Sequence, residues 1–382
     1  MNPLSALKPG STLGIMGGGQ LARMLCMEAR RMGYRTLVWT GGLEAPAAEV
    51  CDEVCTEPFA DLAAAAAFAA RCAVATVEFE NLPLASLEAV SQHIPLHPSP
   101  TAIATCAHRA REKHFLRENA IPCAPFWLVK SAAELARALE ELAGAGVLKT
   151  AEWGYDGKGQ RRVATGDDAA LLWRELDTPA AVLEAYIDFS CEISVMIARG
   201  QDGQWASYDP CENRHRDHIL DLTIAPATLP PSLLESARAI AVRIAEALDY
   251  VGIMGVEFFV TRSGSLLVNE MAPRPHNSGH HTLDACFTSQ FEQQLRATVG
   301  LPLGDTRLLT PATMLNLLGD MWPCQGDPAW DNLLRDPAVA LHLYGKKNAT
   351  QRRKMGHATF LGHDSLARAT AAKQQLLSAA SL

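Results

Sequence analysis

The strongest constraint on the fold lies near the start of the chain, where a strand, a glycine turn, a helix and a second strand follow one another. The stretch from residue 12 reads TLGIMGGGQLARMLCMEARRMGYRTLVW. In its helical part, Leu21, Met24, Leu25 and Met32 are spaced so that they share one face. A strand, a helix and a second strand form the repeating unit of α/β proteins. The chain is therefore predicted to begin with a Rossmann-like α/β domain.

The glycine turn lets the backbone pass close to a ligand. Three successive glycines end at Gly19, and the N–H groups that open the following helix favour an anion. The pattern Gly17-x-Gly19-x-x-Ala22 fits the looser form of a dinucleotide fingerprint, but the second strand ends LVWTGG, without the acidic residue that would hold a ribose. A phosphorylated small molecule is favoured over a nicotinamide or flavin, and a purely structural turn remains an alternative.

Length and composition restrict the class of protein. A chain of 382 residues suggests two or three domains, and 48% hydrophobic with 20% charged residues is typical of a globular protein. The net charge of −8 argues against binding to nucleic acid. The longest apolar run, DLAAAAAFAARCAVATV, is broken by Arg71 and predicts a helix followed by a strand, not a membrane span. With no secretory signal, we expect a cytoplasmic protein that does not bind membranes.

The ten cysteines are scattered along the chain without CxxC pairs, so we expect reduced thiols, mostly buried, and no cysteine zinc site.

The predicted strand in ATVEFENLP ends in Glu78, Glu80 and Asn81. Ligands of open α/β sheets lie beyond the carboxyl ends of the strands, so one of these side chains is expected to face the glycine turn. A solvated strand end is the alternative. A domain boundary is predicted near residue 100, where HPSP precedes a helix.

A second α/β layer precedes a glycine-rich loop. PFWLVKSAAELARALEELAGAGVLKT predicts strand, helix, turn and strand, with Lys149 at the end, and EWGYDGKGQ follows at residues 152–160. Backbone N–H groups of such a loop can fold over phosphate oxygens, although the sequence is not the GxxxxGK[ST] loop. Next, AVLEAYIDFSCEISVMIA predicts two strands with Glu184 and Glu192 around their connection. That connection suits a base edge and ribose hydroxyls, whereas surface positions for both glutamates remain an alternative.

The residues that carry the most chemistry lie at 252–284, which read GIMGVEFFVTRSGSLLVNEMAPRPHNSGHHTLD. A β-hairpin with its turn near Ser263 would place Glu257 opposite Asn269, and Glu270 joins them only if a bulge interrupts the strand. Carboxylates completed by substrate phosphates are the ligands that Mg²⁺ prefers. Arg274, His276 and Asn277 follow in an irregular segment and suit a small oxyanion. A zinc site from His276, His280 and His281 is disfavoured by its spacing.

These motifs resemble the ATP-grasp superfamily. Within it, GGGQLARM, VEFEN, GYDGKGQ, NEMAPRPHNSGHHT and HLYGK…RRKMGH are similar to the 5-(carboxyamino)imidazole ribonucleotide synthetase family, from about residue 12 to 362. The resemblance implies an α/β (α+β) fold, namely an ATP-grasp fold with an N-terminal Rossmann-like domain and a small C-terminal domain. The implied domains are 1–100, an ATP-grasp domain at 101–305 with a lid subdomain at about 122–187, and 306–382.

The resemblance also implies the reaction. ATP and Mg²⁺ would drive the carboxylation of 5-aminoimidazole ribonucleotide by bicarbonate, through carboxyphosphate, in purine biosynthesis, and the enzyme would be a homodimer. Because water destroys carboxyphosphate, a closing lid is expected. Alternatives are a formate-using ATP-grasp transformylase, a dinucleotide-dependent oxidoreductase and a non-catalytic nucleotide-binding module.

Individual roles follow from the same resemblance. Those implied for ATP belong to Arg109, Lys149, Gly154, Tyr155, Asp156, Gly157, Lys158, Gly159, Gln160, Glu184, Ala185, Tyr186, Ile187, Glu192, His215, Asn269 and Glu270. Those implied for Mg²⁺ belong to Glu257, Glu270 and Asn269, and those for bicarbonate to Arg274, His276 and Asn277. Those implied for the ribonucleotide belong to Gly19, Gln20, Glu78, Tyr155, Asp156, Lys158, Lys346 and Arg353. Of these, Tyr155 and Asp156 are expected to act in catalysis together with the bicarbonate group.

The C-terminal segment HLYGKKNATQRRKMGH departs from the family at one position. Thr350 stands where the family has an arginine, whereas Arg353 is retained. Lys346 and Arg353 flank the polar stretch NATQ, which can turn the chain and bring both cations to one phosphate. A basic, solvated turn is the alternative.

Overall fold

The N-terminal region forms the predicted α/β unit. The computed structural model describes residues 6–142, 144–152 and 159–380. The elements of this region are β1 (Thr12–Met16), α1 (Gln20–Arg31), β2 (Arg35–Trp39), β3 (Glu53–Cys55), α2 (Leu62–Ala69), β4 (Val74–Val77) and α3 (Leu84–Ser91). The four strands form a parallel sheet in the order β3-β2-β1-β4. Gly33, with φ +81°, ends α1 in a backbone conformation that favours glycine.

Two short helices connect this sheet to the next region. They are α4 (Pro100–Cys106) and α5 (Arg109–Glu118). The sequence predicts one helix here, and the break occurs because the side chain of His108 caps α5 by accepting a hydrogen bond from the N–H of Arg111. The break places Arg109 in the first turn of α5.

A small antiparallel sheet follows. It contains β5 (Phe126–Val129), α6 (Ala132–Glu141), β6 (Ala145–Thr150), β7 (Gln160–Ala164), α7 (Ala169–Leu176) and β8 (Ala181–Ala185). The strand order is β5-β8-β6-β7, and the two helices pack their apolar faces on it. Ser131 and Asp168 cap α6 and α7 through their side-chain oxygens. The strand, helix and strand predicted around Lys149 are therefore confirmed.

A nine-stranded sheet forms the centre of the molecule. Its first part contains β9 (Phe189–Arg199), β10 (Trp205–Ser207), β11 (Cys211–Arg216), β12 (Ile219–Ala225), α8 (Pro231–Ala247), β13 (Gly252–Thr261), β14 (Leu266–Ala272), α9 (Thr282–Ala285) and α10 (Gln290–Val299). The predicted hairpin is β13–β14, and β14 lies at the edge of the sheet. The residues after β14 make only a short 3₁₀ turn at Asn277–Gly279, in agreement with the predicted irregular segment.

The C-terminal region adds three strands to the same sheet. It contains β15 (Ala312–Leu318), α11 (Trp330–Leu333), β16 (Val339–Leu343), β17 (Lys354–Leu361) and α12 (Ser365–Ala380). β15 pairs with β12, so the sheet runs β14-β13-β9-β11-β12-β15-β17-β16, with β10 beside β9. The proposed domain boundaries near residues 100 and 305 stay predictions.

The N-terminal sheet and the central sheet share a hydrophobic core. Leu21 and Leu25 of α1 pack in one buried cluster with Phe291 and Leu295 of α10. Gln294 is fully buried between the two sheets, where it donates to Thr76 Oγ1 at 2.7 Å and accepts from the N–H of Ile253 at 2.7 Å. The region that would bind ligands is therefore built on a common core.

Two expectations concern the whole chain. All ten cysteines are free thiols, and five of them are buried, so the expectation of mostly buried thiols holds for half of the set. None of the helices within the described ranges combines the length and the apolar character needed to cross a bilayer.

Candidate active site

A cleft of about 1150 Å³ lies where the carboxyl end of β4, the small antiparallel sheet and the central sheet meet. It brings together most of the described residues for which the sequence predicts a role. These are Gln20, Glu78, Arg109, Lys149, Gln160, Glu184, Ala185, Tyr186, Ile187, Glu192, His215, Glu257, Asn269, Glu270, Arg274, His276 and Asn277. Gly19, Gly159, Lys346 and Arg353 do not line it. The remaining predicted residues, Gly154, Tyr155, Asp156, Gly157 and Lys158, lie outside the described residues.

The β13–β14 hairpin carries the predicted metal ligands. Phe258 pairs with Val268 in the predicted register, but the register then shifts and Glu257 pairs with Glu270. Asn269 is the extra residue of the bulge and has no partner on β13. The expectation that Glu257 lies opposite Asn269 is therefore wrong, and the true partner is one residue further along. The predicted bulge itself is confirmed, and it brings the two carboxylates face to face.

The electrostatics of this pair favour a cation. Burial raises the pKa of Glu257 above its ordinary value, and the negative charge of Glu270 raises it further. Nε2 of His276 lies 3.4 Å from Oε1 of Glu257. Two carboxylates that repel each other, with an amide between them, are the donor set that Mg²⁺ prefers, so these residues fit that ion.

Glu184 lies between two lysines at the end of β8. Lys149 Nζ is 3.0 Å from Oε1, and Lys113 Nζ is 3.4 Å from Oε2. Burial opposes ionisation of this carboxyl, but the two ammonium groups outweigh burial and lower the pKa of Glu184 to about 2. Because Glu184 is 3% exposed, the alternative that it is a surface residue is wrong. Its carboxylate is held by lysines, which leaves the backbone at 185–187 to face the cleft.

Glu192 and His215 form a second pair across neighbouring strands. Nδ1 of His215 is 2.7 Å from Oε2 of Glu192, and β9 and β11 are paired at this level. Burial lowers the pKa of His215, but the hydrogen bond that its ring donates to Glu192 and the negative charge of Glu192 outweigh burial and raise the pKa overall. The pair presents a carboxylate and an imidazole to the cleft.

Arg274 is anchored by a carboxylate from the N-terminal domain. Its Nε is 2.6 Å from Oε2 of Glu80 and its Nη2 is 3.3 Å from Oε1, a bidentate pair. Burial opposes the charged form of Glu80, and Arg274 outweighs it and lowers the pKa of Glu80. Glu80 belongs to the strand end that the sequence singled out, but its pairing with Arg274 was not predicted. The alternative of a solvated strand end is wrong for it.

His276 is held as a neutral ring. Its Nδ1 is 2.8 Å from Oγ of Ser278, and its backbone N–H donates to Oε1 of Gln290 at 2.8 Å. Burial lowers the pKa of His276 well below its ordinary value, and the charge of Arg274 lowers it further. An anion in this part of the cleft would therefore meet an arginine and a neutral hydrogen-bond donor.

The helix start at the glycine turn is occupied by a carboxylate of the chain. Glu78 accepts from the N–H of Gly19 at 2.9 Å and from the N–H of Leu21 at 3.3 Å. A Cβ at Gly19 would lie 2.3 Å from Glu78 Oε1, so a larger residue here would displace that carboxylate. Glu78 is 9% exposed and faces the glycine turn, as predicted for one of the side chains at the strand end.

Lys346 and Arg353 lie in the loop between β16 and β17, beside the cleft. Lys346 Nζ donates to the carbonyl of Lys354 at 2.8 Å, and Arg353 pairs with Glu44. Burial lowers the pKa of Lys346 to about 8, and the charge of Arg353 contributes. Lys354 lines the cleft, and no role was predicted for it from the sequence. Its position directly after Arg352 and Arg353, in the cationic run RRK, could have indicated such a role.

The three histidines considered for zinc, His276, His280 and His281, are not brought together as a group of converging ligand atoms. Among the described residues, the group whose ligand atoms lie within 4.8 Å of one another is Asp284, His342 and His357. The rings of His342 and His357 stack at 4.5 Å with planes only 12° apart. Their nitrogen lone pairs lie in nearly parallel planes and do not converge on one ion, so we read this group as packed histidines.

Three family models match the chain. They are the ATP-grasp domain at residues 114–291, the ribonucleotide synthetase preATP-grasp domain at 11–107, and the phosphoribosylaminoimidazole carboxylase C-terminal domain at 312–371. Together with the cleft, they define an ATP-grasp enzyme, which is an ATP-dependent ligase. The predicted ATP-grasp fold with a Rossmann-like first domain is thereby confirmed.

Similar proteins narrow the class. The N5-carboxyaminoimidazole ribonucleotide synthase of Brucella melitensis is 44% identical over 357 residues, which cover 93% of this chain and 97% of the relative. A crystal structure of an N5-carboxyaminoimidazole ribonucleotide synthetase with ADP has 35% identity and a TM-score of 0.91, with all of both chains covered. That of Aspergillus clavatus N5-carboxyaminoimidazole synthase with ADP and 5-aminoimidazole ribonucleotide has 30% identity and a TM-score of 0.85, covering 98% and 99%.

The chain belongs to the N5-carboxyaminoimidazole ribonucleotide synthase family. The resemblance drawn from the sequence motifs is therefore confirmed. The formate-using transformylase and the oxidoreductase are not favoured by any of these matches.

Proposed function

We propose that this chain uses ATP to carboxylate 5-aminoimidazole ribonucleotide with bicarbonate. The products are 5-(carboxyamino)imidazole ribonucleotide, ADP and phosphate. The observation that carries the proposal is the convergence of Glu257, Glu270, Arg274 and His276 in one cleft with Lys149. Family membership at 44% identity over nearly the whole chain supports the same reaction.

ATP would enter between the small antiparallel sheet and the central sheet. Lys149 and Arg109 reach the cleft from β6 and the first turn of α5, and both offer positive charge to the phosphates. The backbone at Ala185, Tyr186 and Ile187 would receive the adenine, and Glu192 the ribose. The loop from Gly154 to Gln160 is proposed to cover the phosphates.

Glu257 and Glu270, with Asn269, would hold Mg²⁺. Bound there, the ion would neutralise charge on the γ-phosphate that is transferred. The contribution of the chain is to hold both carboxylates on one side of the cleft through the bulge at Asn269.

Arg274, His276 and Asn277 would position bicarbonate. A bicarbonate oxygen attacks the γ-phosphorus of ATP, the bond to the β–γ bridging oxygen breaks, and ADP leaves with carboxyphosphate as the second product. The C–O bond to phosphate then breaks, either as the exocyclic amine of the ribonucleotide attacks the carboxyl carbon or beforehand, with the amine capturing the CO2 released, and the amine proton is lost. Arg274 and neutral His276 supply hydrogen bonds to the oxyanion without being consumed.

The ribonucleotide would lie toward the N-terminal sheet and the β16–β17 loop. Gln20 and Glu78 line that side of the cleft, with Gly19 bonded to Glu78 behind them, and Lys346 with Arg353 would meet the phosphate. Tyr155, Asp156 and Lys158 of the loop are proposed to contact this substrate as the loop closes.

We also propose a homodimer in the cytoplasm, where ATP and phosphorylated intermediates are retained. Light scattering coupled to size exclusion measures the subunit count, and a monomer mass of 41.2 kDa in solution would contradict the dimer.

The test of the function is ADP release by the purified chain with each substrate added or omitted. We expect ADP release to require Mg²⁺ and to rise strongly only when bicarbonate and 5-aminoimidazole ribonucleotide are present together. Equal ADP release with formate and another ribonucleotide would reject the proposal.

A further inference from the structure

Two charged residues that follow each other on α5 are buried outside the cleft lining. Glu112 is 3% exposed and Lys113 is 1% exposed. Charged side chains are rarely buried to this extent unless they are paired, because removing a charge from water is costly. Neither residue has a role in the chemistry described above, and their partners explain their burial.

Both residues bond to the backbone of the metal-binding strand. Because β14 is at the edge of the sheet, backbone groups on its outer side have no neighbouring strand. The N–H of Met271 donates to Glu112 Oε1 at 2.6 Å, and Lys113 Nζ donates to the carbonyl of Asn269 at 3.0 Å. These contacts flank Glu270 on both sides, at the bulge where the strand ladder is interrupted.

Lys113 also contacts a residue that lines the phosphate side of the cleft, namely Glu184. Its ammonium is 3.4 Å from Oε2 of Glu184, and the other oxygen of Glu184 is 3.0 Å from Nζ of Lys149. One buried side chain thus contacts the strand that carries Glu270 and the carboxylate that holds Lys149. These two groups come from different sheets.

We propose that Lys113 is a positioning residue that fixes Glu270 and Lys149 relative to each other. This inference rests on the proposed function, in which Glu270 holds Mg²⁺ and Lys149 meets the ATP phosphates. Lys113 does not touch either ligand. Lys113 binds the carbonyl of Asn269, next to Glu270, and it also binds the carboxylate of Glu184, which orients Lys149. The distance between the metal ligand Glu270 and the phosphate-binding Lys149 is thereby fixed.

The test replaces Lys113 by Met, which keeps the length of the side chain but removes its charge and its N–H donors. Loss of a group that orients metal ligands costs roughly 10- to 100-fold in metal affinity or activity. For Lys113→Met, we expect the Mg²⁺ concentration that gives half-maximal ADP release to rise by about tenfold or more. The KM for the ribonucleotide should stay within about twofold, because Lys113 contacts Asn269 and Glu184, which are not proposed to bind that substrate.

The control is Arg111→Met on the same helix, which removes an exposed cation and should leave the Mg²⁺ dependence unchanged. Calorimetric titration of ADP with and without Mg²⁺ gives a second readout that needs no ribonucleotide. We expect Mg²⁺ to strengthen ADP binding in the unaltered chain and to do so much less in Lys113→Met. If the ribonucleotide never stimulates ADP release, the proposed function fails, whereas the calorimetric comparison still decides the role of Lys113.

A second variant, Lys113→Gln, is measured in the same way, because it keeps a donor and removes the charge. A neutral variant that folds and keeps the Mg²⁺ dependence of the unaltered chain would overturn the proposal. Failure of both neutral variants to fold would also overturn it, since Lys113 would then be a residue needed for folding alone.

Discussion

Charged residues in and beside the cleft are held by partners that lie far away along the chain. The sequence predicted that Glu257 and Glu270 lie on one hairpin, because both belong to a short local motif. It did not reveal that Arg274 is paired with Glu80, 194 positions away, or that Lys113 meets Asn269, 156 positions away. Such partners depend on how the domains pack, and no local pattern of residues encodes them.

Glu270 offers the most direct test of the metal site. Glu270→Gln keeps the shape of the side chain and removes one negative charge beside Glu257. Electrostatic groups of this kind supply about 3 kcal/mol, so turnover should fall by at least ~100-fold. Steady-state ADP release at saturating Mg²⁺ measures the effect. Glu235→Gln on the surface of α8 is the control, since that side chain is 75% exposed. Full turnover of Glu270→Gln would place the metal elsewhere.

Lys346 predicts a pH dependence. Burial, together with Arg353, lowers its pKa to about 8, so the free protein carries the ammonium below pH 8 and loses it above. If Lys346 binds the ribonucleotide phosphate, kcat/KM for that substrate should fall about tenfold per pH unit above this value. A pH profile of kcat/KM checks this expectation.

The matched variant is Lys346→Arg, whose guanidinium stays charged throughout the range. Its profile should be flat between pH 8 and the limit of stability of the protein. The same decline in Lys346→Arg would assign the titration to another group.

At the scale of elements, the β13–β14 hairpin shows where pattern reasoning succeeds and where it stops. The turn residues TRSGS fix the register as far as Phe258 and Val268, as predicted. Beyond this point the ladder shifts, because Asn269 is inserted and its carbonyl bonds to α5 instead of a strand. The bulge was predicted because Glu257, Asn269 and Glu270 can bind one metal ion only if the strand is interrupted. The alternation of hydrophobic residues alone would have predicted an uninterrupted strand.

The loop between β16 and β17 carries the prediction for the ribonucleotide phosphate. Arg353→Met should raise the KM for the ribonucleotide roughly 10- to 100-fold, as expected for the loss of a charged hydrogen bond worth about 1.5–3 kcal/mol. The KM for ATP should change little. Both constants come from the same initial-rate assay.

Arg352→Met is the control, because the guanidinium of Arg352 donates to the carbonyl of Asp217 instead of approaching Glu44. Arg352→Met should leave the KM for the ribonucleotide within about twofold of its value in the unaltered chain. If Arg353→Met raised the KM for ATP alone, the loop would belong to the nucleotide pocket. The assignment of the two substrates to their pockets would then be wrong.

At the scale of the whole molecule, the N-terminal sheet and the central sheet are predicted to unfold together. Leu295 of α10 is fully buried in the cluster that also contains residues of α1. Leu295→Ala should lower the free energy of unfolding by about 2–5 kcal/mol, because it leaves a cavity in the shared core. Calorimetry and chemical denaturation measure the change.

The shared core predicts that both sheets lose structure in one transition. Leu334→Ala, at a position 49% exposed, is the control and should change stability by less than about 0.5 kcal/mol. Two resolved transitions, with only one of them shifted by Leu295→Ala, would show that the sheets unfold independently.

The order of strands in the central sheet has a consequence for the chain during its synthesis. β12 ends at Ala225, but its partner β15 begins only at Ala312, so residues 226–311 are made while one edge of β12 has no neighbour. An open strand edge is a template for pairing with other chains. The growing polypeptide is therefore predicted to be prone to aggregate in this interval, and a chain that stopped before residue 312 would keep that edge exposed permanently. Protection of this edge therefore comes from a strand that is made only after the whole β13–β14 hairpin.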